Sequence, residues 1–286
     1  MYAFLAPAKI NLTLDVIRKR DDGYHEVDMI MQSVSLADEL EMEVIPQGIC
    51  LTSDSSAVPL DSRNLIWQAA ELLQKRFKIS QGIRIHLKKN IPVEAGLAGG
   101  SSDGAATLRG LNLLWKLNLS MEELEEIGAQ LGSDIPFCIR GGTMRATGRG
   151  EILEELPPIP KFHVLLVKPA VGVSTGLAYQ KFSEQGVESH PDLAGMMEAI
   201  KQGDREKIQT HIGNVFEEWV PKMYPIILEI MAKLKDNGAK CVGMSGSGPT
   251  VFVLADSREE VEKWKEIVGS LGTTWVCETL LAAEIQ

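Results

Sequence analysis

Alternating hydrophobic and polar positions predict strands in the first half of the chain. In residues 10–16, Ile, Leu, Leu and Val are separated by Asn, Thr and Asp, which is typical of a strand with one buried and one solvated face. Residues 40–45 and 83–87 show a similar pattern. The sequence therefore predicts three strands here.

Three helices are predicted around these strands. Apolar residues from 65 to 77 recur at helical spacing, with Asp61 or Ser62 as the expected N-cap. Residues 101–115 show a second helical pattern. A third helix is predicted over 120–132, because a serine followed three residues later by a glutamate forms a capping box and a glycine ends the segment.

The second half of the chain mixes both patterns. Strands are predicted at 162–167 and near 274–281, and a strand pair is predicted to flank the glycine-rich turn Gly243–Pro249. The predicted helices are 192–202, 204–212, 225–236 and one that follows the cap Ser257. This order suggests a split βαβ, ferredoxin-like sandwich with one extra helix.

A proline cluster divides the two halves. Leu156–Pro160 contains three prolines, which can continue neither a helix nor a central strand. We place a domain boundary there, giving domains at 1–157 and 158–286. Both are of ordinary domain size, and both are α+β in their predicted elements.

The charge balance narrows the class of partners. Lys and Arg number 29 and Asp and Glu number 39, so the formal net charge is −10, which disfavours nucleic acids and anionic membranes. No apolar run approaches the ~18 residues of a membrane span, and the N-terminus lacks a signal-peptide core. We therefore expect neither nucleic acid nor membrane as a partner. No heptad pattern or long apolar strip predicts an oligomeric state.

The four cysteines are widely spaced and form no C-x-x-C pair. They are Cys50, Cys138, Cys241 and Cys277. This spacing argues against a zinc ribbon or a disulfide scaffold, and scattered thiols suit a reducing cytoplasm. We expect all four to be small buried residues.

A glycine-rich loop carries the strongest chemical signal. Residues 88–103 run from a strand directly into a helix start, and their glycines allow a close backbone approach to a ligand. Free N–H groups at a helix N-terminus favour an anion, most naturally phosphate. The loop matches neither the Walker nor the G-x-G-x-x-G spacing. A tight turn with an N-cap is the alternative, but the small residues and paired serines exceed what capping needs.

Other candidate residues have plain structural alternatives. The loop Gly243–Pro249 is as typical of an ordinary hairpin connection as of a functional glycine-rich loop. Lys9 has a plain alternative too, since a solvated lysine is common on an edge strand. Tyr24 and His25 follow a turn sequence, where a surface imidazole is common. Asp134 precedes an Ile-Pro-Phe run, so it is either a helix cap or a partly desolvated carboxylate. The other histidines show no metal-ligand spacing.

Taken together, these segments resemble the GHMP kinase superfamily, which includes galactokinase, homoserine kinase and mevalonate kinase. Residues 6–12 match its N-terminal motif, residues 92–102 its phosphate-binding motif and residues 243–249 its C-terminal motif. Three motifs in order are far more specific than one. Residues 23–25 and 132–137, together with residues 6–12, narrow the resemblance to kinases of a cytidine-linked sugar alcohol.

The resemblance implies a fold and a reaction. It implies an α+β, two-domain GHMP kinase fold: a ribosomal-protein-like N-terminal domain, a ferredoxin-like C-terminal domain and an active site in the cleft between them. It also implies ATP and Mg²⁺ as cofactors, with cytidine-diphosphate methylerythritol as the small-molecule substrate. Phosphorylation of its 2-hydroxyl would give the 2-phosphate and ADP, in the non-mevalonate route to isoprenoids.

The resemblance also assigns residues. Lys9 and Asp134 match its catalytic pair. The residues implied to bind ATP are Asn64, Pro92, Val93, Glu94, Ala95, Gly96, Leu97, Ala98, Gly99, Gly100, Ser101 and Ser102. The residues implied to contact the substrate are Asn11, Tyr24, His25, Thr175 and Tyr179. The protein ligands of Mg²⁺ are not specified, with Ser102 as a candidate contact.

Two departures and two alternatives accompany this assignment. Ala98 stands where the motif usually has glycine, so it must keep a negative φ or bear strain, and Gly104 stands where alanine is usual.

A kinase of homoserine or mevalonate is one alternative, although neither substrate offers a base for Tyr24 and Tyr179 to stack on. A nucleotide-binding regulator or RNA-binding module is the other, disfavoured by the charge and by the presence of both Lys9 and Asp134.

Overall fold

A computed structural model describes residues 1–285 of the chain. The strands up to the proline cluster are β1 (Tyr2–Lys19), β2 (His25–Ile45), β3 (Ile49–Ser53), β4 (Gly82–Lys88), β5 (Thr143–Gly148) and β6 (Ile152–Glu155). The helices of the same part are α1 (Leu65–Phe77), α2 (Gly99–Leu114), α3 (Met121–Gly128) and α4 (Ile135–Arg140).

The rest of the chain again mixes helices and strands. Its strands are β7 (His163–Lys168), β8 (Gly213–Asn214), β9 (Gly243–Met244), β10 (Val251–Ala255) and β11 (Thr273–Glu278). Its helices are α5 (Thr175–Gln185), α6 (Leu193–Gln202), α7 (Arg205–Thr210), α8 (Val220–Met223), α9 (Pro225–Asp236) and α10 (Arg258–Val268). The predicted boundary after residue 157 lies between β6 and β7, and it stays a prediction.

Two sheets organise the molecule. The first has the order β3-β4-β2-β1-β8, with β5 paired to the other end of β2 and β6 to β5. The second has the order β11-β7-β10-β9 and is antiparallel throughout, as the predicted split βαβ sandwich requires. The two-residue strand β8 leaves the second part and pairs parallel with β1 at Thr13 and Leu14. A segment from the second half therefore completes the first sheet.

Strand β1 differs from its predicted half-solvated form. Every residue from Ala6 to Val16 is buried, because helices α2 and α4 pack against the strand and its polar residues meet the second half of the chain. Asn11 accepts a hydrogen bond from the Gly246 backbone, and His190 Nδ1 lies 2.7 Å from Asp15 Oδ1. The alternation is real, but its polar face lies against protein.

Several helix ends were predicted wrongly. The N-cap of α1 is Asn64, whose side chain accepts from Ile66 N at 2.9 Å, and neither Asp61 nor Ser62. Helix α2 begins at Gly99, two residues early, and α3 ends at Gly128 although its capping box is confirmed. Helices α4 and α5 were not predicted.

The two departures from the motif have structural consequences. Ala98 has φ 55°, so it bears the left-handed conformation, which costs about 1–2 kcal/mol. Gly104 lies in α2 where a Cβ would be 3.3 Å from Leu65 Cβ and 3.4 Å from Ile135 Cδ1. The missing side chain therefore lets α1, α2 and α4 pack closely.

The cysteine prediction was right at three positions and wrong at one. Cys138, Cys241 and Cys277 are buried free thiols, but Cys50 is exposed on the outer strand β3. Among residues 1–285, no helix has both the length and the apolar character needed to cross a membrane.

Candidate active site

A cavity of about 1110 Å³ brings together residues from distant parts of the chain. Strand β1, the glycine-rich loop before α2, the turn before β2, helix α5 and the Gly243–Pro249 loop all contribute to its wall. The predicted site residues that line it are Lys9, Asn11, Tyr24, His25, Asn64, Pro92, Val93, Glu94, Ala95, Gly96, Leu97, Ala98, Gly99, Gly100, Ser101, Asp134, Thr175 and Tyr179. Ser102 is the exception.

Ser102 is directed away from the cavity. It is fully buried, and its hydroxyl donates to Pro7 O at 2.7 Å. The residue therefore ties α2 to β1, and the expectation that this hydroxyl meets phosphate or metal stays a prediction. Its neighbour Ser101 lines the cavity.

The two glycine-rich loops pack backbone to backbone. Gly96 has φ +74°, and a Cβ there would lie 2.1 Å from Ser245 O. The Ser245 hydroxyl donates to Gly96 O at 2.8 Å, and Leu97 O accepts from Lys9 N at 3.1 Å. The Gly243–Pro249 loop is thus more than a hairpin connection, since it holds the other loop in place.

Lys9 is a buried lysine, so its interpretation as a solvated edge lysine is excluded. It is 4% exposed, and its Nζ donates to Asn11 Oδ1 at 2.7 Å. Gly246 N donates to the same oxygen at 3.0 Å. Within residues 1–285, the Asn11 amide nitrogen meets only Met29 Sδ, at 3.3 Å, and a thioether is a weak acceptor.

Asp134 immediately precedes α4, and its side chain makes no capping hydrogen bond. The alternative role of helix cap is therefore not the one the carboxylate performs. It is partly buried and lines the cavity, as does Lys9.

An aromatic cluster forms the other end of the cavity. The His25 ring lies 4.9 Å from Tyr179 at an interplanar angle of 35°, and Tyr179 meets the edge of Phe216 at 5.0 Å. Tyr24 is 56% exposed, with the Arg149 guanidinium 5.0 Å from its ring centroid. Tyr24 and Tyr179 therefore have different partners, although both line the same cavity.

The hydrogen bonds of His25 define its chemistry. Its Nε2 lies 2.7 Å from Ser183 Oγ, and that hydroxyl donates onward to Tyr179 O at 3.1 Å. Burial, followed by the nearby Lys19 ammonium, lowers the pKa of His25 below its ordinary value. We assign a neutral ring with the proton on Nε2, which leaves Nδ1 as a hydrogen-bond acceptor.

Sequence reasoning missed several residues of the cavity wall. Lys19, Arg149, Phe216 and Ser247 all line it. Ser247 Oγ lies 3.0 Å from Thr175 Oγ1, which joins the start of α5 to the second glycine-rich loop. Ser247 belongs to the Gly243–Pro249 motif but was not singled out within it. Lys19, Arg149 and Phe216 carry no local signal, because their positions in the cavity come from contacts between distant segments.

A buried ion cluster lies beneath the glycine-rich loop. Lys89 Nζ contacts Asp38 and is 2.8 Å from Asp103 Oδ2, and Asp38 Oδ1 also accepts from the backbone of Asn90 and Ile91 at 2.6 and 2.8 Å. Burial raises the pKa of Asp103, since one ammonium cannot offset two buried carboxylates. The cluster fixes the strand end from which the loop departs.

Removing Asp38 should therefore be costly. Asp38→Ala leaves two buried backbone amides without an acceptor and removes one of the two carboxylate partners of the buried Lys89 ammonium. We therefore expect the free energy of unfolding to fall by about 3–5 kcal/mol. The urea midpoint of unfolding measures this. Glu43→Ala is the control, because Glu43 lies on the same strand as Asp38 but forms an exposed ion pair, with Arg84 of β4. This change should alter the midpoint little. Equal midpoints for the two variants would contradict the role of Asp38.

Comparisons with known proteins identify the family. The model of the GHMP kinases N terminal domain matches residues 64–142, and that of the GHMP kinases C terminal domain matches residues 196–273. A 4-diphosphocytidyl-2-C-methyl-D-erythritol kinase of Bacillus subtilis (strain 168) is 50% identical over 259 residues, covering 90% of this chain and 89% of that protein. The chain belongs to the GHMP kinases and, within them, to the 4-diphosphocytidyl-2-C-methyl-D-erythritol kinase family.

Further relatives of this GHMP kinase agree. The enzyme of the same name from Geobacillus sp. (strain WCH70) is 54% identical over 258 residues, covering 88% of each chain. A crystal structure of 4-(cytidine 5'-diphospho)-2C-methyl-D-erythritol kinase has a TM-score of 0.84 and 31% identity, covering 97% of this chain and 99% of that one. The predicted α+β, two-domain GHMP kinase fold is confirmed.

The kinase family implies ATP as the phosphoryl donor. The described part of the chain, residues 1–285, holds no group of three or more His, Cys, Asp or Glu side chains that could bind a metal ion. Mg²⁺ commonly takes one or two protein ligands and otherwise binds phosphate oxygens and water. The residues therefore fit a Mg²⁺ ion carried mainly by the nucleotide.

Proposed function

We propose that the protein transfers the γ-phosphoryl group of ATP to the 2-hydroxyl of 4-diphosphocytidyl-2-C-methyl-D-erythritol, giving the 2-phosphate and ADP. One observation carries this proposal. A single cavity joins a glycine-rich anion loop, a buried lysine with a carboxylate, and an aromatic end with a histidine acceptor. Those are the groups needed for a triphosphate, a reacting hydroxyl and a nucleobase.

Asp134 is proposed as the general base. Its carboxylate is not used for capping and faces the cavity, so it can accept the proton of the attacking hydroxyl. Lys9 carries a buried ammonium into the same space, where it stabilises charge on the transferring phosphoryl group and orients the carboxylate.

Asn11 is proposed to bind the sugar-alcohol chain as a donor. Its oxygen already accepts from Lys9 and from Gly246, so the amide nitrogen is the atom left for a substrate hydroxyl. The thioether of Met29 is too weak an acceptor to compete with the oxygen of a substrate hydroxyl for this amide nitrogen.

The nucleotide is proposed to lie along residues 92–101, with its phosphates at the N-terminus of α2. Asn64 lines the same side of the cavity, although both ends of its amide serve Pro59 O and Ile66 N. A Mg²⁺ ion entering with ATP would neutralise phosphate charge, and Ser101 is the loop hydroxyl placed to contact it.

The cytosine is proposed to bind at the aromatic end. His25 Nδ1 can accept from the exocyclic amino group of the base, and the Tyr24 and Tyr179 rings offer faces for stacking. Thr175, at the start of α5, lines the same cavity. A cytoplasmic location and the absence of nucleic-acid or membrane partners stay predictions from the composition.

Tyr24→Ala tests the base site. We expect KM for the cytidine substrate to rise about 10- to 100-fold through lost stacking, with KM for ATP little changed. Steady-state kinetics with each substrate varied in turn measures the split. Tyr2→Ala is the control, because Tyr2 is 58% exposed and lies at the start of β1. Equal rises in both constants for Tyr24→Ala would count against the assignment.

The reaction itself is tested by ADP release with three alcohols. The cytidine diphosphate substrate should support turnover that homoserine and mevalonate do not. ATP binding without turnover on any of the three would indicate a nucleotide-binding regulator and overturn the proposal.

A further inference from the structure

The side chain of Asn214 is hydrogen-bonded to the backbone of the Gly243–Pro249 loop. It is 8% exposed, and its Nδ2 donates to Met244 O at 2.7 Å and to Gly246 O at 2.8 Å. Its Oδ1 accepts from Phe216 N at 3.0 Å. All hydrogen-bonding atoms of the amide are thus used on backbone, two of the three contacts being to this loop.

The loop passes this constraint to the active site. Gly246 lies between the Asn214 contact at its carbonyl and the Asn11 contact at its N–H. Asn11 Oδ1 in turn accepts from Lys9 Nζ. A continuous chain of hydrogen bonds therefore runs from Asn214 to the ammonium that the proposed function places on the phosphoryl group.

The strand pairing makes this chain of contacts short and direct. Asn214 belongs to β8, which pairs with β1 opposite Leu14, and Asn11 and Lys9 lie on that same β1. Met244, at the head of the loop, is further fixed because its N–H donates to Glu217 Oε1 at 2.7 Å. The loop is thereby held on the strand pair that carries Lys9.

An amide has two ends of similar shape, and only its hydrogen bonds decide which end faces Lys9. The Gly246 N–H requires an acceptor, so it selects the orientation with Oδ1 toward Lys9. If the loop drifted, the Asn11 amide could turn and present its own N–H groups to the ammonium, which is itself donor-only. The ammonium would then lose its anchor.

We infer that Asn214 is a positioning residue for phosphoryl transfer, acting through Gly246 and Asn11 on Lys9. This rests on the proposed role of Lys9. Two results are required. Loss of the Asn214 side chain must lower kcat more than it weakens the binding of either substrate, and the fall in kcat must depend on residue 11 being an amide.

Asn214→Ser is the informative variant. Serine keeps an acceptor for Phe216 N and is a good N-cap, but it cannot reach both loop carbonyls. We expect kcat to fall about 10- to 100-fold while KM for ATP stays within about threefold, since one lost hydrogen bond to a charged group is worth about that much in rate. Asn237→Ser is the matched control, because its exposed amide donates to one helix carbonyl, Lys233 O, and kcat should not change.

The Asn11→Asp background distinguishes an effect of Asn214 on the position of Lys9 from a general structural effect of its loss. An aspartate presents an acceptor at both ends, so its orientation toward Lys9 no longer needs Gly246. In that background Asn214→Ser should cost less than threefold in kcat. Equal losses in both backgrounds would show a merely structural role and overturn the inference. Should Asn214→Ser fail to fold in thermal melts, Asn214→Asp, which keeps the size and the cap, is compared in the same two backgrounds.

Lys9→Met distinguishes the positioning role of Asn214 from the proposed role of Lys9. If Lys9→Met lowers kcat and Asn214→Ser does not, the positioning role is wrong and the active-site assignment stands. If Lys9→Met leaves kcat unchanged, the assignment of Lys9 fails and the inference fails with it.

Discussion

Replacing Asp134 by asparagine should lower kcat by about 100- to 10,000-fold, the usual contribution of a general base. The carboxylate lines the cavity beside α4 and is free of any capping role. Asparagine has nearly the same shape, so the wall of the cavity and the glycine-rich loop should be preserved. ATP affinity should therefore stay within a few-fold of the unchanged protein.

Single-turnover kinetics measures the chemical step, and calorimetric titration with a non-hydrolysable ATP analogue measures binding. Asp204→Asn is the matched control, because Asp204 caps α7 through Lys207 N and asparagine caps equally well. Turnover of Asp134→Asn close to that of this control would remove Asp134 from the proposed chemistry.

The cavity resolves an apparent conflict between net charge and ligand. The chain carries a formal charge of −10, yet both proposed ligands are polyphosphates. Five cationic side chains line the cavity: Lys9, Lys19, Arg63, Lys89 and Arg149. Lys89 is already paired with two buried aspartates and Arg63 with a neighbouring one. Backbone N–H groups must therefore contribute much of the phosphate binding.

The sequence predicts local features of this site well. Residues 88–103 alone predict an anion-binding loop between a strand and a helix, and in the structure residues 92–101 line the cavity before α2. The polar positions of β1 were also visible, and Lys9 and Asn11 belong to them. In each case the signal lies within about ten consecutive residues.

Contacts between distant segments could not be predicted in this way. Ser102 reads as a second loop hydroxyl, but the packing of α2 on β1 turns it to Pro7 O. Strand β8 has only two residues, too few for any periodicity, yet it completes the first sheet and carries Asn214. The same limit applies to Arg149, whose contact with Tyr24 joins segments about 125 residues apart in the printed sequence.

Gly96→Ala should disable the nucleotide site through a collision that the backbone cannot avoid. Gly96 has φ +74°, and a Cβ would lie 2.1 Å from Ser245 O. The obstructing atom is backbone, held from the far side because Ser245 N donates to Thr250 O. The two glycine-rich loops must therefore separate, which breaks the bond from the Ser245 hydroxyl to Gly96 O.

Separation of the loops should weaken ATP binding and slow phosphoryl transfer. The loop after Gly96 holds Lys9 N through Leu97 O, so its displacement disturbs the phosphate cradle and the proposed catalytic lysine together. We expect KM for ATP to rise more than 10-fold and kcat to fall by at least as much, together about 3 kcal/mol or more in kcat/KM.

Gly203→Ala separates collision from backbone strain. Gly203 has φ +63° at the end of α6, with no atom within 4 Å of an added Cβ, so alanine there bears the same left-handed conformation without a clash. It should lower the melting temperature slightly and leave both kinetic constants unchanged. If Gly96→Ala behaved like this control, the close contact between the loops would not matter for nucleotide binding, because strain alone costs only about 1–2 kcal/mol of stability.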